Sequence, residues 1–85
     1  MEMFQGILLP TREELDKRLA AAAEKTGIAE HSFRDNAVSL LERVMEHHPE
    51  VKSDSPDFEL WVRWALTLWT EHAEEIARST KSETK

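Results

Sequence analysis

Residues 58–69, FELWVRWALTLW, hold all three tryptophans of an 85-residue chain. As a helix, this stretch is apolar around half its circumference or more, whereas a surface helix needs a stripe only a little over ~100° wide. Whatever fold the chain adopts has to cover that arc. A domain of this length buries only about 60 % of its unfolded surface and usually needs a disulfide, a metal, or a second chain to be stable. The sequence has no cysteine, which removes disulfides and thiolate zinc sites and is weakly in favour of a reducing compartment. A partner or a second copy is therefore the leading expectation.

The punctuation around the stretch fixes a helix. Pro56 suits a first helical position with Ser55 as N-cap, and Asp57 and Glu59 fall in the first turn, where the dipole favours acids. The third helix is expected over residues 56–78, with a polar, frayed tail over 79–85. Phe58, Trp61, Ala65, Leu68, Trp69, Ala73 and Ile76 make its apolar face, widened by Val62, Trp64 and Leu66. Trp61, Leu68 and Trp69 lie near the middle and are expected to face the protein's own core. Trp64 lies at one edge, beside Glu71 and Glu75, and is the best candidate for a contact between molecules.

Two earlier helices form a hairpin over residues 11–48. Thr11 and Glu14 have capping-box spacing, Leu15, Leu19, Ala22 and Ala23 form a narrow apolar stripe, and Gly27 is a left-handed C-cap with Ile28 folding back over the last turn. The alanines imply close approach by a neighbour. Ser32 and Asp35 repeat the capping spacing, and Phe33, Ala37, Leu40, Leu41, Val44 and Met45 follow with helical periodicity until Pro49 stops the element. A polar linker, EVKSDS, joins this hairpin to the third helix. Ahead of it, MEMFQGILLP over residues 1–10 has the apolar content of a short extended arm, or strand, ending at Pro10. The expectation is one all-α domain of three helices behind that arm, self-associating as a dimer.

Charge narrows the function. The formal net charge is −6, shared about equally between the two halves. Nucleic-acid binding rests on clustered Lys and Arg, so it is disfavoured, as are anionic membrane surfaces. No apolar run approaches the ~20 residues that span a bilayer. Ile7, Leu8 and Leu9 are too few for a signal-peptide core, and no basic residue precedes them, so a cytoplasmic location is expected.

Nothing in the chain names a reaction. His47 and His48 are adjacent, so on a helix they point about 100° apart and cannot readily share an ion. Near a helix C-terminus they have a simpler use, against the dipole. His72 sits on the apolar face as a packing residue, and His31 faces solvent. Glu13–Glu14 and Glu74–Glu75 belong to charged helix faces, and the only glycines are Gly6 and Gly27, so no phosphate loop is available. The chain is expected to be no enzyme and to hold no cofactor and no metal. Tryptophan is enriched in interface hot spots, which gives the first functional reading. That reading is a small acidic regulator or inhibitor binding another protein, one with a basic surface, through Phe58, Trp61, Trp64, Leu68 and Trp69.

A resemblance supplies the second. An "LP" after a short arm, then RLAAAAEKTG, then Phe33 and Ala37 in the following helix make residues 9–45 similar to the ribbon-helix-helix family of dimeric DNA-binding repressors. The resemblance implies two arms pairing as an antiparallel ribbon that enters the major groove, with Gln5, Arg12, Ser32 and Arg34 toward DNA. The third helix would then add an oligomer or toxin contact, as in an antitoxin. The arm carries neither Lys nor Arg, which is why protein binding stands first.

Overall fold

The computed structural model describes residues 2–83, with side chains to residue 79. The elements run β1 (Glu2–Phe4), β2 (Ile7–Leu9), α1 (Arg12–Thr26), α2 (Glu30–His47) and α3 (Phe58–Glu83). The body is helical, as expected, and a two-stranded antiparallel sheet precedes it. No helix among the described residues is long and apolar enough to cross a membrane.

α1 forms as its sequence dictates. The Thr11 hydroxyl accepts the Glu14 amide at 3.1 Å, and Gly27 closes the helix at φ 76°, its amide donating to the Ala23 carbonyl at 2.9 Å. Leu15, Leu19, Ala22 and Ala23 are its buried face, the four residues of the expected stripe. Ile28 does not fold back; it is exposed, and its amide donates to the Thr26 hydroxyl instead.

α2 begins at Glu30, earlier than the capping spacing implied. Ala29 stands at the N-cap with no side-chain cap, and Ser32 lies inside the first turn, its amide donating to the Ala29 carbonyl. The left-handed turn at Gly27 returns the chain to helical geometry within two residues, so Ser32 is never at a helix end. Phe33, Ala37 and Leu41 are buried and Leu40, Val44 and Met45 half-buried.

The start of α3 also differs. Ser55 does not cap it. The Ser55 hydroxyl accepts the Lys52 amide at 3.1 Å and donates to the Glu50 carbonyl at 3.2 Å, closing the linker over the buried Val51. With that hydroxyl engaged, residues 56 and 57 form a turn and the helix opens at Phe58, where the Asp57 carbonyl accepts the Trp61 amide. At the other end α3 continues past Arg78 to Glu83, since no Gly or Pro follows Pro56 to stop it. Part of the expected tail, Thr84 and Lys85, lies outside the described residues.

α3 is the element on which α1, α2 and β2 all pack. Its buried centre is Ala65, Leu66, Thr67, Thr70 and Ala73, small residues for the most part. They let α1 and α2 come close, and the larger aromatics lie on the flanks as covers. One core layer joins Leu15, Ala37, Leu41, Ala65 and Leu66; the other joins Leu19, Ala22, Ala23, Phe33 and Ala73; Trp69 packs against both.

A bidentate ion pair clamps α1 to α3: Arg18 donates from Nε and Nη2 to Glu74 at 2.9 and 2.7 Å. The hydrogen bond from Arg18, opposed by burial, holds the Glu74 carboxyl below its usual value of 4.5, and the same bond raises the Arg18 guanidinium. A depressed folded-state pKa contributes stability that is present above the unfolded value and is lost as pH falls through the folded one. Acid titration from pH 4.5 downward should therefore destabilise the parent more steeply than Glu74→Gln, read by thermal melts at each pH. Parallel curves would show that the pair contributes nothing.

The two buried threonines of α3 provide a second check. Thr67 donates to the Arg63 carbonyl at 2.7 Å, while the Thr70 hydroxyl, fully buried, has no partner among the described residues. Burying an unpaired hydroxyl costs about 1–3 kcal/mol, and an apolar isostere removes that cost. Thr70→Val should leave the melting temperature unchanged or raise it, whereas Thr67→Val should lower stability by about 0.5–1.5 kcal/mol.

Candidate functional site

The aromatic row of α3 is built from the N-terminal hairpin upward. Residues 1–10 are not a single extended arm. β1 and β2 pair antiparallel in the register Glu2↔Leu9, Met3↔Leu8 and Phe4↔Ile7, joined by Gln5 and Gly6 with φ of 51° and 78°. Positive φ at both central residues is the two-residue turn whose twist suits a hairpin. Glycine meets that demand freely; Gln5 accepts it at a cost. The alternation sends Phe4 inward, where its ring meets Trp61 edge-on at 4.9 Å.

Arg63 holds the hairpin in place. Nε and Nη2 donate to the Pro10 carbonyl at 3.1 and 3.0 Å, Nη2 also reaches Leu9 O at 3.3 Å, and Nη1 pairs with Glu2 at 2.6 Å. Its side chain is only 12 % exposed. A single guanidinium thus satisfies two main-chain carbonyls and one carboxylate.

The aromatic contacts continue along the helix. Trp61 meets Trp64 edge-on at 5.4 Å and stacks with His48 at 6.5 Å. His72 stands edge-on to Trp69 at 5.1 Å. Phe58, Trp61, Trp64, Leu68 and Trp69 are all half-buried rather than buried. Phe58, Trp61, Trp64 and Trp69 rest on the core layers, so the expectation that Trp61 and Trp69 face inward and Trp64 outward is too sharp. Leu68 is not among the residues packed on those layers. Sequence reasoning put Ala65, Leu66 and Ala73 on the buried face but missed Thr67 and Thr70 among them, because hydroxyl side chains do not register in an apolar pattern.

Trp64 and Leu68 share helical spacing with Glu71, His72 and Glu75, which are exposed. The result is a half-covered apolar row bordered by two carboxylates and an imidazole. Such a face can bind; no nucleophile there has a base beside it. No cluster of three or more His, Asp or Glu side chains is placed to hold a metal ion among the described residues. His48 lies 3.4 Å from Glu50 and stacks on Trp61.

The residues of the DNA-directed reading fall in several places. Gln5 is at the hairpin turn. Ser32 is half-buried in the first turn of α2, its carbonyl bonded to the Asn36 amide group. Arg12 donates to Glu59 at 3.3 Å, and Arg34 to Glu30 and Asp16. Only Arg12 and Arg34 come together, at the mouth of a groove.

Comparison of the chain with protein-family models, with curated proteins and with solved structures returns no match.

The clasp yields a specific expectation. Arg63→Met keeps the stem but strips donors from the Leu9 and Pro10 carbonyls, each costing about 1–3 kcal/mol if left unpaired. The hairpin should detach while the helices persist. Hydrogen exchange should then speed up at Phe4 and Ile7 and stay slow in α1 and α2; uniform acceleration would mean the hairpin is integral to the core.

Proposed function

We propose that this chain is a small, acidic, non-enzymatic regulator or inhibitor that acts by binding another protein through the aromatic row of α3. One observation carries the reading. α3 buries Ala65, Leu66, Thr70 and Ala73 almost completely, yet Trp61, Trp64 and Leu68 on the same helix stay only half-covered. Tryptophan at an interface supplies a large apolar area for little side-chain entropy and is over-represented among residues that dominate binding. The bordering Glu71 and Glu75 and the net charge of −6 favour a partner with a basic surface. Trp64 and Leu68 are the contact residues, and a second copy meeting along the same row would give a homodimer. The location that suits this role is cytoplasmic.

Trp61 and Trp64 separate folding from association. Trp61 touches Phe4, His48 and Trp64 at once, so Trp61→Ala should loosen the hairpin and lower the melting temperature. Trp64→Ala, which also removes a contact with Trp61 and the core layer, should weaken association more than it lowers the melting temperature. Losing one buried aromatic side chain costs roughly 1.5–3 kcal/mol, doubled across a symmetric dimer. Sedimentation equilibrium and thermal melts on both variants read this difference, alongside capture of the tagged parent from its native cell with protein and nucleic acid analysed. A parent that stays monomeric at high concentration and captures no protein sinks the reading. Capture of duplex DNA with steep salt dependence would turn it toward the ribbon-helix-helix alternative.

A further inference from the structure

A groove with a volume of about 190 Å³ lies where the start of α1 meets α2 and α3. α3 enters it with Val62, Ala65 and Leu66, not with Trp64 or Leu68. Ala65, Leu66 and the α2 residue Leu41 are buried there, while Val38 is 53 % exposed. Ligand pockets usually measure ~300–1,000 Å³. The groove therefore suits one large apolar side chain better than a whole small molecule.

Among the described residues, the charged side chains that line it are two arginines, Arg12 and Arg34. Their carboxylate partners Glu59, Asp16 and Glu30 do not line it. Arg12 spends only Nη1, on Glu59 at 3.3 Å, and both side chains of that pair are largely exposed, which makes it a weak one. Arg12 Nε and Nη2 donate to nothing among the described residues. Those two donors form the edge with which Arg18 grips Glu74 at 2.9 and 2.7 Å, and with which Arg34 grips Glu30. An edge of that shape matches a carboxylate with two parallel hydrogen bonds. In Arg12 it stands open beside an apolar groove, and Arg34 adds an unspent Nη1.

The fitting ligand therefore carries a large apolar group and a carboxylate close together. Successive side chains of an extended chain point to opposite sides, so an acidic residue next to the inserted one would aim its carboxylate away. The last residue of a chain carries both groups on one Cα. The net charge of −6 repels a long acidic segment far more than a single terminal carboxylate.

We infer that this groove is a docking site for the C-terminus of a partner polypeptide, with a large apolar last side chain inserted between α2 and α3 and the terminal carboxylate accepting from Arg12 Nε and Nη2 and Arg34 Nη1. This rests on the protein-binding reading but assigns a second surface, with different residues, to the contact.

The test is an amide-resolved NMR titration of the full chain with an N-acetylated peptide ending in phenylalanine with a free carboxylate. Two control peptides carry a C-terminal amide, or alanine in place of the phenylalanine, and octanoate serves as an apolar carboxylate that is not a polypeptide. The free-acid phenylalanine peptide should shift the Ala37, Val38 and Ala65 amides saturably, with each control peptide weaker by about tenfold or more and octanoate weaker than the parent peptide. Arg12→Gln should leave the melting curve nearly unchanged, since its ion pair is exposed, and weaken the titration by about tenfold. Trp64→Ala should leave the titration unaltered, which separates this groove from the aromatic row. The assignment is overturned if the groove amides do not move at millimolar peptide, or if Arg12→Gln binds as the parent does. It is equally overturned if the amidated peptide or octanoate binds as well as the free acid, or if the shifts gather at Trp64 and Leu68. A protein captured from the native cell alongside any of these results would leave the aromatic row standing without the groove, so the two readings fail separately.

Discussion

Everything in this molecule depends on one helix having more apolar surface than a helical hairpin can cover. α1 and α2 pack on α3 far more than on each other, and the β-hairpin takes a further side of it through β2. The order of the chain follows from this. Two helices with narrow stripes come first, and the helix with the wide arc comes last and lies against both. The fit is close because the middle of α3 is Ala65, Thr70 and Ala73, and the facing stripe of α1 includes Ala22 and Ala23. Larger residues at those positions would hold the backbones apart and weaken the dispersion contacts that dense packing provides. Polar clamps then fix orientation at two levels. Arg18–Glu74 sets α1 against α3, and Arg63 sets the hairpin against the opposite end of the same helix.

The helices were legible because their signals are local and repeated. The stripe of Leu15, Leu19, Ala22 and Ala23 and the left-handed Gly27 each depend on a few neighbouring residues. The failures have equally local causes. Ser32 matched a cap spacing by coincidence, one turn inside a helix whose actual N-cap, Ala29, offers no side-chain bond. Ser55 matched another, but its hydroxyl bonds back to Lys52 and Glu50 and closes the linker loop instead. The hairpin was hidden for a different reason. A two-residue turn of this type is usually announced by Asn or Asp before Gly, whose short side chains tolerate positive φ. Here Gln5 takes that position, and a glutamine gives no such notice.

The breadth of the apolar arc on α3 was legible in the sequence; its arrangement was not. Counting apolar residues around α3 correctly shows that the arc is too wide for one contact. It cannot show how the excess divides, because that depends on what the first ten residues do. As a single arm they would leave Trp61 open. Folded back, they lay Phe4 against Trp61 and bring Pro10 to Arg63. The hairpin thus takes up one side of Trp61, and Phe58, Trp61, Trp64, Leu68 and Trp69 all remain half-covered. The hairpin leaves an apolar pair of its own, since Met3 and Leu8 lie opposite one another on the outer side and are 67 % and 50 % exposed.

Net charge bears on the kind of partner these apolar areas suit, not on which of them it meets. Six arginines and five lysines face seventeen acids. Arg18, Arg34 and Arg63 are each committed to carboxylates inside the fold. Each pair cancels an acid along with an arginine, so the surface that remains keeps the acidic balance of the composition. A basic partner gains long-range attraction from that surface wherever it lands, and the attraction sets encounter rate rather than orientation. Orientation has to come from shape and directed donors. The aromatic row offers breadth without donors of its own kind beyond the indole N–H groups. The groove beside Val38 offers less area but carries guanidinium N–H groups fixed by Asp16, Glu30 and Glu59.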